Sequence, residues 1–404
     1  MTEWSRVSLS DVANRVAIKN TAGYDRVLTV SAEHGLVDQE KYFNKRVASA
    51  DLSGYWVVEP GDFVYNKSTS KDAPWGVVAR YDGETPAVVT PLYIVFRACG
   101  AVDPEYLLHA CNGQTFFDSL RGMLREGARA HGLLNVRLKE FFSAQLFLPS
   151  PSEQGRIVNV MGAVDALIKA LDAERRTATT LLALIRNAYP EGTEHSLSDV
   201  IAGIDSGKSV QTSDERPLPG EPAVLKLSAI QMGSFVASEA KRLADLAHHT
   251  DAHAVAEGDL LITRASGSSD RVGYATIARN VPPQTYMPDL IWRIRTKPDV
   301  CQSTFLAHLL CSPSVRAMIT ASARGTASMR KINKALLGSL RLPIPSLEEQ
   351  LAYTARCDAV AFEAESLDSE LSALRAFRSS LLTDLLSQEI EIPELYDRLL
   401  EEVP

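Results

Sequence analysis

The chain has 404 residues, 45% of them hydrophobic and 23% charged, with a formal net charge of −8 at pH 7. These proportions suit globular cores, the length allows two or three domains, and a protein basic over its whole surface is excluded. No stretch approaches the roughly 18 apolar residues of a membrane helix, and Met1-Thr2-Glu3-Trp4-Ser5-Arg6 lacks the layout of a signal peptide, so no membrane partner and a cytoplasmic location are expected.

From the N-terminus, short apolar runs alternate with turns: Val27–Val30, Tyr55–Val58, Phe63–Tyr65, Gly76–Ala79 and Leu92–Phe96. β-Branched and aromatic runs cut by Gly, Pro and Asp predict strands, and the stretch Pro104–Gln114 predicts a helix. A basic segment follows, with Arg121, Arg125, Arg129, Arg137 and Lys139. Ser150-Pro151-Ser152-Glu153 is then an S-x-x-E capping box with proline at the first helical position. Beyond it Ile157, Met161, Val164, Ile168 and Leu171 step by four and three, Arg175 interrupts, and Ala178, Leu182 and Ile185 resume. Such spacing predicts a long coiled-coil helix, the alternative being an amphipathic helix lying on its own domain.

Pro190-Glu191-Gly192 ends that helix, and the pattern begins again. Ser8-Leu9-Ser10-Asp11-Val12 recurs letter for letter as Ser196–Val200, Gly61-Asp62 matches Gly258-Asp259, and Glu153-Gln154 matches Glu349-Gln350. Strands are predicted at Val224–Leu227, Leu260–Thr263 and Leu290–Ile294, and a helix over Ser303–Ile319. From Val300 to Leu347 there is no Asp or Glu, while Arg316, Arg324, Arg330, Lys331, Lys334 and Arg341 all fall inside. A second capping box, Ser346-Leu347-Glu348-Glu349, opens a second seam through Tyr353, Cys357, Val360, Ala364, Leu367, Leu371, Leu374, Arg378, Leu381 and Leu385. Residues 391–404 form an acidic tail in which one short docked helix is expected.

A duplicated unit of about 200 residues is too long for a solenoid repeat and has the size of a domain with an appendage. The expected fold class is α+β. Two similar mixed α/β globular domains, residues 1–150 and 191–346, are joined by two long helices, residues 151–190 and 347–390, in a pseudo-twofold antiparallel coiled coil. Helices of roughly 35 residues span about 50 Å, enough to hold two DNA-reading surfaces about 34 Å apart, one turn of B-DNA.

Catalytic motifs are weak. Ala202–Ser209 satisfies a loose phosphate-loop pattern, but the residues before it read as a capped helical turn and those after it are polar, so a surface loop is the expectation. His248, His249 and His253 have no Cys or Glu spaced to complete a zinc site. Five cysteines without a CxxC pair suit buried, reduced thiols. No triad, paired carboxylates or methyltransferase-type Pro-Pro-aromatic segment is present, so the chain reads as non-catalytic, with no cofactor or metal of its own. Two donor-rich segments in each half remain. One follows the Gly-Asp turn, as Lys67, Ser68, Thr69, Ser70 and Lys71, or as Arg264, Ser266, Ser268, Ser269 and Arg271. The other precedes the capping box, as Arg129, His131 and Asn135, or as Arg330, Lys331, Asn333 and Lys334. Hydroxyls, amides and cations of this kind contact phosphates and base edges. Protein-binding heads on a coiled-coil scaffold, or less favourably a nucleotide-binding protein, are the alternatives.

The order and duplication of these features resemble a DNA-specificity subunit of a type I restriction–modification enzyme, over essentially residues 1–390. The likeness rests on the repeated globular-plus-helix layout, on Pro149–Gln154 and Pro343–Gln350, on the Gly-Asp turn with its Arg/Ser loop, and on Ser206-Gly207-Lys208-Ser209. It implies two target recognition domains, each reading half of a split, asymmetric double-stranded DNA sequence. Lys208 and Ser209 join the DNA-contact candidates, and the helices become a spacer between half-sites. It further implies docking of two methyltransferase subunits that carry S-adenosylmethionine, and of motor-nuclease subunits for cleavage. One departure is that the first half has no Gly-Lys-Ser segment.

Overall fold

A computed structural model describes residues 4–31, 34–68, 73–100, 102–123, 129–130, 133–209, 215–243, 251–326, 329–393 and 396. The chain divides into two compact units, Met1–Lys169 with Ser372–Pro404, and Ala170–Leu371. Each unit takes in one part of each long helix.

In the first unit a four-stranded antiparallel sheet runs Ala13–Val16, Ile94–Ala98, Phe63–Asn66, Val77–Arg80. A second sheet runs Gly35–Asp38, Val27–Ser31, Ala87–Val89, Trp56–Val58, with its central pair parallel. Phe63, Tyr65 and Phe96 from the first sheet bury beneath the helices Pro104–Cys111 and Gln114–Met123. The second unit repeats the plan. Ile201–Ser206, Ile291–Thr296, Leu260–Thr263 and Ala275–Ile277 form its four-stranded sheet, and Leu260, Ile262 and Trp292 share a core with helices Ser303–Leu310 and Pro313–Ser322. Its smaller sheet orders Ala240–Arg242, Ala223–Leu225, Thr285–Tyr286, again with one parallel pair.

The repeated sequence signatures have physical causes. In Ser-Leu-Ser-Asp-Val, Ser8 N–H donates to the Asp11 carboxylate at 2.8 Å and Ser196 N–H to Asp199 at 3.2 Å. This caps the one-turn helices Leu9–Val12 and Leu197–Val200. Gly61 and Gly258 both adopt positive φ, +88° and +84°, and the following Asp62 and Asp259 accept from the backbone N–H of Glu59 and Ala256. Each aspartate also takes an arginine from the neighbouring central strand, Arg97 to Asp62 at 2.6 Å and Arg293 to Asp259 at 3.2 Å.

The two long helices span Pro151–Asn187 and Leu347–Leu386. At their starts, Glu153 and Glu349 accept from the N–H of Ser150 and Ser346. The next residue in each copy is a buried glutamine. Gln154 Nε2 donates to Pro149 O at 2.9 Å and its Oε1 accepts Asp103 N–H at 2.7 Å. Gln350 Nε2 donates to Pro345 O and Val300 O, and its Oε1 accepts Gln302 N–H at 2.9 Å. The Glu-Gln pair is therefore a cap plus a lock: one residue starts the long helix and the other ties it to the N-terminus of Pro104–Cys111 or of Ser303–Leu310 in the globular part.

Within each unit the two helix segments run antiparallel. In the first, Ile157 and Met161 share a core with Leu382, Leu385 and Leu386, and Asp165 takes Arg378 in a two-point ion pair, Nη2–Oδ2 at 2.9 Å. In the second, Leu182 packs with Tyr353 and Cys357, Tyr353 O–H donates to Arg186 O, and Arg175 bridges Asp172 and Asp368. Of the seam residues, Ile157, Met161, Leu171, Leu182, Leu367 and Leu371 are buried, while Val164, Ile168, Ile185, Val360, Leu374 and Leu381 are half-buried. Near the helix ends the seam merges with the globular cores, so part of the stripe serves the amphipathic role posed as the alternative.

The surface-loop expectation for Ala202–Ser209 is corrected. Ile201–Ser206 is a strand paired with Ile291–Thr296, its ladder bulged between Ile201 and Gly203, and Lys208 N–H donates to Met287 O. Backbone amides committed to a sheet are not free to cradle a phosphate. His248 and His249 lie outside the described residues, as does most of the acidic tail, of which Ile392 packs against the first unit's core. All five cysteines are free, with only Cys99 not fully buried. Among the described residues, no helix is long and apolar enough to cross a membrane.

Candidate nucleic-acid interface

In the second unit the two donor-rich segments, about 60 residues apart in sequence, become one structure. After Thr263 the chain continues as strand Ala265–Ser266, which pairs with Met329–Lys331, and that strand hairpins with Arg324–Thr326. Arg264 is fixed between them: its N–H donates to Leu290 O at 2.8 Å and its carbonyl accepts Ile332 N–H at 3.0 Å. Gly325 has φ +140°, and a Cβ there would lie 2.2 Å from Met329 O, so the hairpin needs glycine.

This small sheet walls an open cleft of about 430 Å³ into which Arg264, Arg324, Lys331 and Lys334 converge with Ser206, Ser322 and Asn333. No Asp or Glu is among the described residues that line it. Trp292 forms part of the wall, with the Arg264 guanidinium 5.8 Å and the Lys334 ammonium 5.9 Å from its ring centroid. Lys334 Nζ also donates to Ile204 O at 2.6 Å, which fixes the ammonium in the cleft wall. Four cations with no Asp or Glu among the described lining residues make a site for anions, and the indole behind them keeps two of those cations in place.

The predicted contacts do not all meet there. Arg330 does not line the cleft, because strand alternation turns it to the face opposite Lys331. Asn333 lines it, but its Oδ1 is already engaged in capping the helix Lys334–Gly338 through Leu336 N–H. Ser266 Oγ accepts Ser268 N–H, and Ser268 hydrogen-bonds Asp270. Arg271 reaches Gln231 at 3.2 Å. Ser269 lies in the same short turn, Ser269–Arg271. Lys208 is half-buried and Ser209 exposed, just beyond the strand end, and neither lines the cleft.

In the first unit Lys67 follows strand Phe63–Asn66, and its carbonyl accepts Leu134 N–H at 2.9 Å, the counterpart of the Arg264–Ile332 bond. Arg129–Ala130 pairs with Leu133–Leu134, so backbone again joins the two segments. Ser68 and Asn135 are exposed beside this junction, whereas Thr69, Ser70, Lys71 and His131 lie outside the described residues. Trp292 and Ser322 were not singled out from sequence, and Arg324 and Ser206 were noted there only within the basic stretch and the Ser206–Ser209 segment, not as contacts. An aromatic within a strand shortly before the acid-free stretch was the available signal for Trp292.

These two units, each with an antiparallel helix pair and a repeated sheet plan, have the architecture of the specificity subunits of type I restriction–modification systems. No protein-family profile matches the chain. It is similar to the specificity subunit of the type I restriction enzyme EcoKI of Escherichia coli K12, at 20% identity over 353 residues, covering 80% of this chain and 75% of that protein. Among solved structures, the S subunit of the type I system of M. genitalium matches with a TM-score of 0.53 at 12% identity, over 97% of both chains. A chain from a solved type I restriction–modification assembly matches with a TM-score of 0.50 at 16% identity, over 96% of this chain and 98% of that one.

Proposed function

We propose that this chain is the DNA-specificity subunit of a type I restriction–modification enzyme. It is itself non-catalytic, and each unit reads one half of a split, asymmetric duplex target. The cleft carries this reading: Arg264, Arg324, Lys331 and Lys334 converge without a carboxylate among them, as backbone phosphates require. Its counterpart around Lys67 differs in residue content, which suits two different half-sites. The paired helices act as the spacer that sets the unread gap. Two methyltransferase subunits dock on the chain and bring S-adenosylmethionine for adenine methylation, and motor-nuclease subunits join for cleavage.

Long-read methylome sequencing of a host expressing the chain with its methyltransferase tests this reading. Methylated adenines within one split, asymmetric motif are expected. Absence of a modified motif, or a short continuous one, refutes it.

A further inference from the structure

The turn that leaves the cleft wall in the second unit is braced more heavily than its exposure explains. Gly267, Ser268, Asp270 and Arg271 are exposed, yet three separate elements hold the turn. Thr263 Oγ1, on a buried strand, donates to Arg271 O at 2.7 Å, Arg271 Nη2 donates to Gln231, and Arg316 Nη2 donates to Asp270 O at 2.6 Å.

Arg316 is the unusual member. It is 8% exposed, its Nη1 is buried with no acceptor, and it forms no ion pair among the described residues. Its charge rests on the Tyr274 ring, 5.1 Å away, and on the Asp270 carbonyl. Gly273, at φ +77°, leaves room that a Cβ would take, 2.9 Å from that same Nη1. A buried cation without a carboxylate is expensive, and ordering a solvent-facing turn does not by itself require one.

The turn also differs from the cleft in setting a carboxylate beside its cation. Asp270 projects next to Arg271, and the Ser268 hydroxyl holds its carboxyl below the usual carboxylate range. A fixed carboxylate repels phosphate but accepts from the exocyclic amino groups that bases present in the major groove. The acid-free cleft and the acid-bearing turn therefore suit different parts of a duplex.

Resting on the DNA-binding reading above, we propose that Asp270 is a specificity-determining acceptor for a base amino group, cytosine N4 or adenine N6, and that Arg316 is the positioning residue fixing the height of its turn.

The experiment uses the complex of this chain with its methyltransferase subunits. Methylation rates are compared on the native target and on duplexes changed at one base pair at a time. Asp270→Ala is expected to lower discrimination at one base pair of one half-site by about tenfold or more. Affinity for random duplex stays level or rises, since a negative charge is removed. Arg316→Met should relax the same base pair, and Arg316→Lys, which keeps a donor for the Asp270 carbonyl, should restore part of the preference. Unaltered discrimination by Asp270→Ala at every position overturns the proposal. Lowered thermal stability of Arg316→Met with intact discrimination overturns the positioning role. A wild-type complex that neither binds nor methylates duplex removes the underlying DNA reading, a result distinct from either variant outcome.

Discussion

Lys331 and Arg330 are neighbours on one strand, yet only Lys331 lines the acid-free cleft, so their replacement by alanine should have unequal effects. Each phosphate neutralised releases counterions and contributes about −0.9 to the slope of log affinity against log salt. Over a fourfold rise in salt one such contact is worth a factor of about 3.5, and four together about 150. Lys331→Ala should flatten the slope by about 0.9, and replacing Arg324 as well should double that change. Arg330→Ala should leave the slope nearly unaltered. Fluorescence anisotropy on random-sequence duplex, from about 50 to about 200 mM salt, isolates this contribution because base readout is absent. The complex with the methyltransferase subunits is the species to titrate, since their own contacts cancel between variants. If Arg330→Ala flattens the dependence as much as Lys331→Ala, phosphates do not lie in the cleft.

Gln350→Ala should cost about 1–3 kcal/mol, because it strands the half-buried Gln302 N–H and the buried Pro345 carbonyl, and thermal unfolding would register the loss. Gly325→Ala should disturb the hairpin Arg324–Lys331 and weaken duplex binding, with little change in melting temperature, because the hairpin lies outside the hydrophobic core; an unchanged affinity would count against the hairpin's role. Burial pushes the His109 imidazole down to about 4, with Arg378 adding to the effect. Its neutral form therefore contributes stability that is fully present above about pH 6.5 and is lost as pH falls from there toward 4, up to about 3 kcal/mol. His109→Gln should flatten that part of a stability–pH profile measured by denaturant unfolding. Inserting one helical turn near both Ala178 and Leu374 should lengthen the gap in the methylated motif, and an unchanged gap would refute the spacer role.

Much of this architecture was legible from residue patterns. Phe63–Tyr65 and Leu260–Thr263 are strands because β-branched and aromatic runs between Gly-Asp turns have few other ways to bury. The capping boxes marked where the long helices begin, since serine and glutamate satisfy amides there that nothing else reaches. Tertiary pairing was not legible. Nothing local to Ala265 announces that Lys331 will sit opposite it, so the cleft, Trp292 as its wall and the divergence of Arg330 emerged only with the sheet. Ala202–Ser209 misled for the same reason: glycines and polar residues suggest a loop, but a partner strand at Ile291–Thr296 claims most of the segment. Arg175 looked like a break in an apolar stripe and proves, like the seam residue Arg378, to be an ion-pairing member of it.

The glutamine lock carries a consequence for how such a chain can change. Gln154 and Gln350 bind the main-chain amide that opens Pro104–Cys111 or Ser303–Leu310 and the carbonyl of the proline before the cap, and these are groups every polypeptide possesses. A foreign globular half grafted at Pro149 or Pro345 would bring the same carbonyl and amide to the joint, whatever side chains its outward loops displayed. Recombination at those two seams could thus trade one reading head for another while the fastening stayed intact, and a lineage could acquire new targets without redesigning its frame.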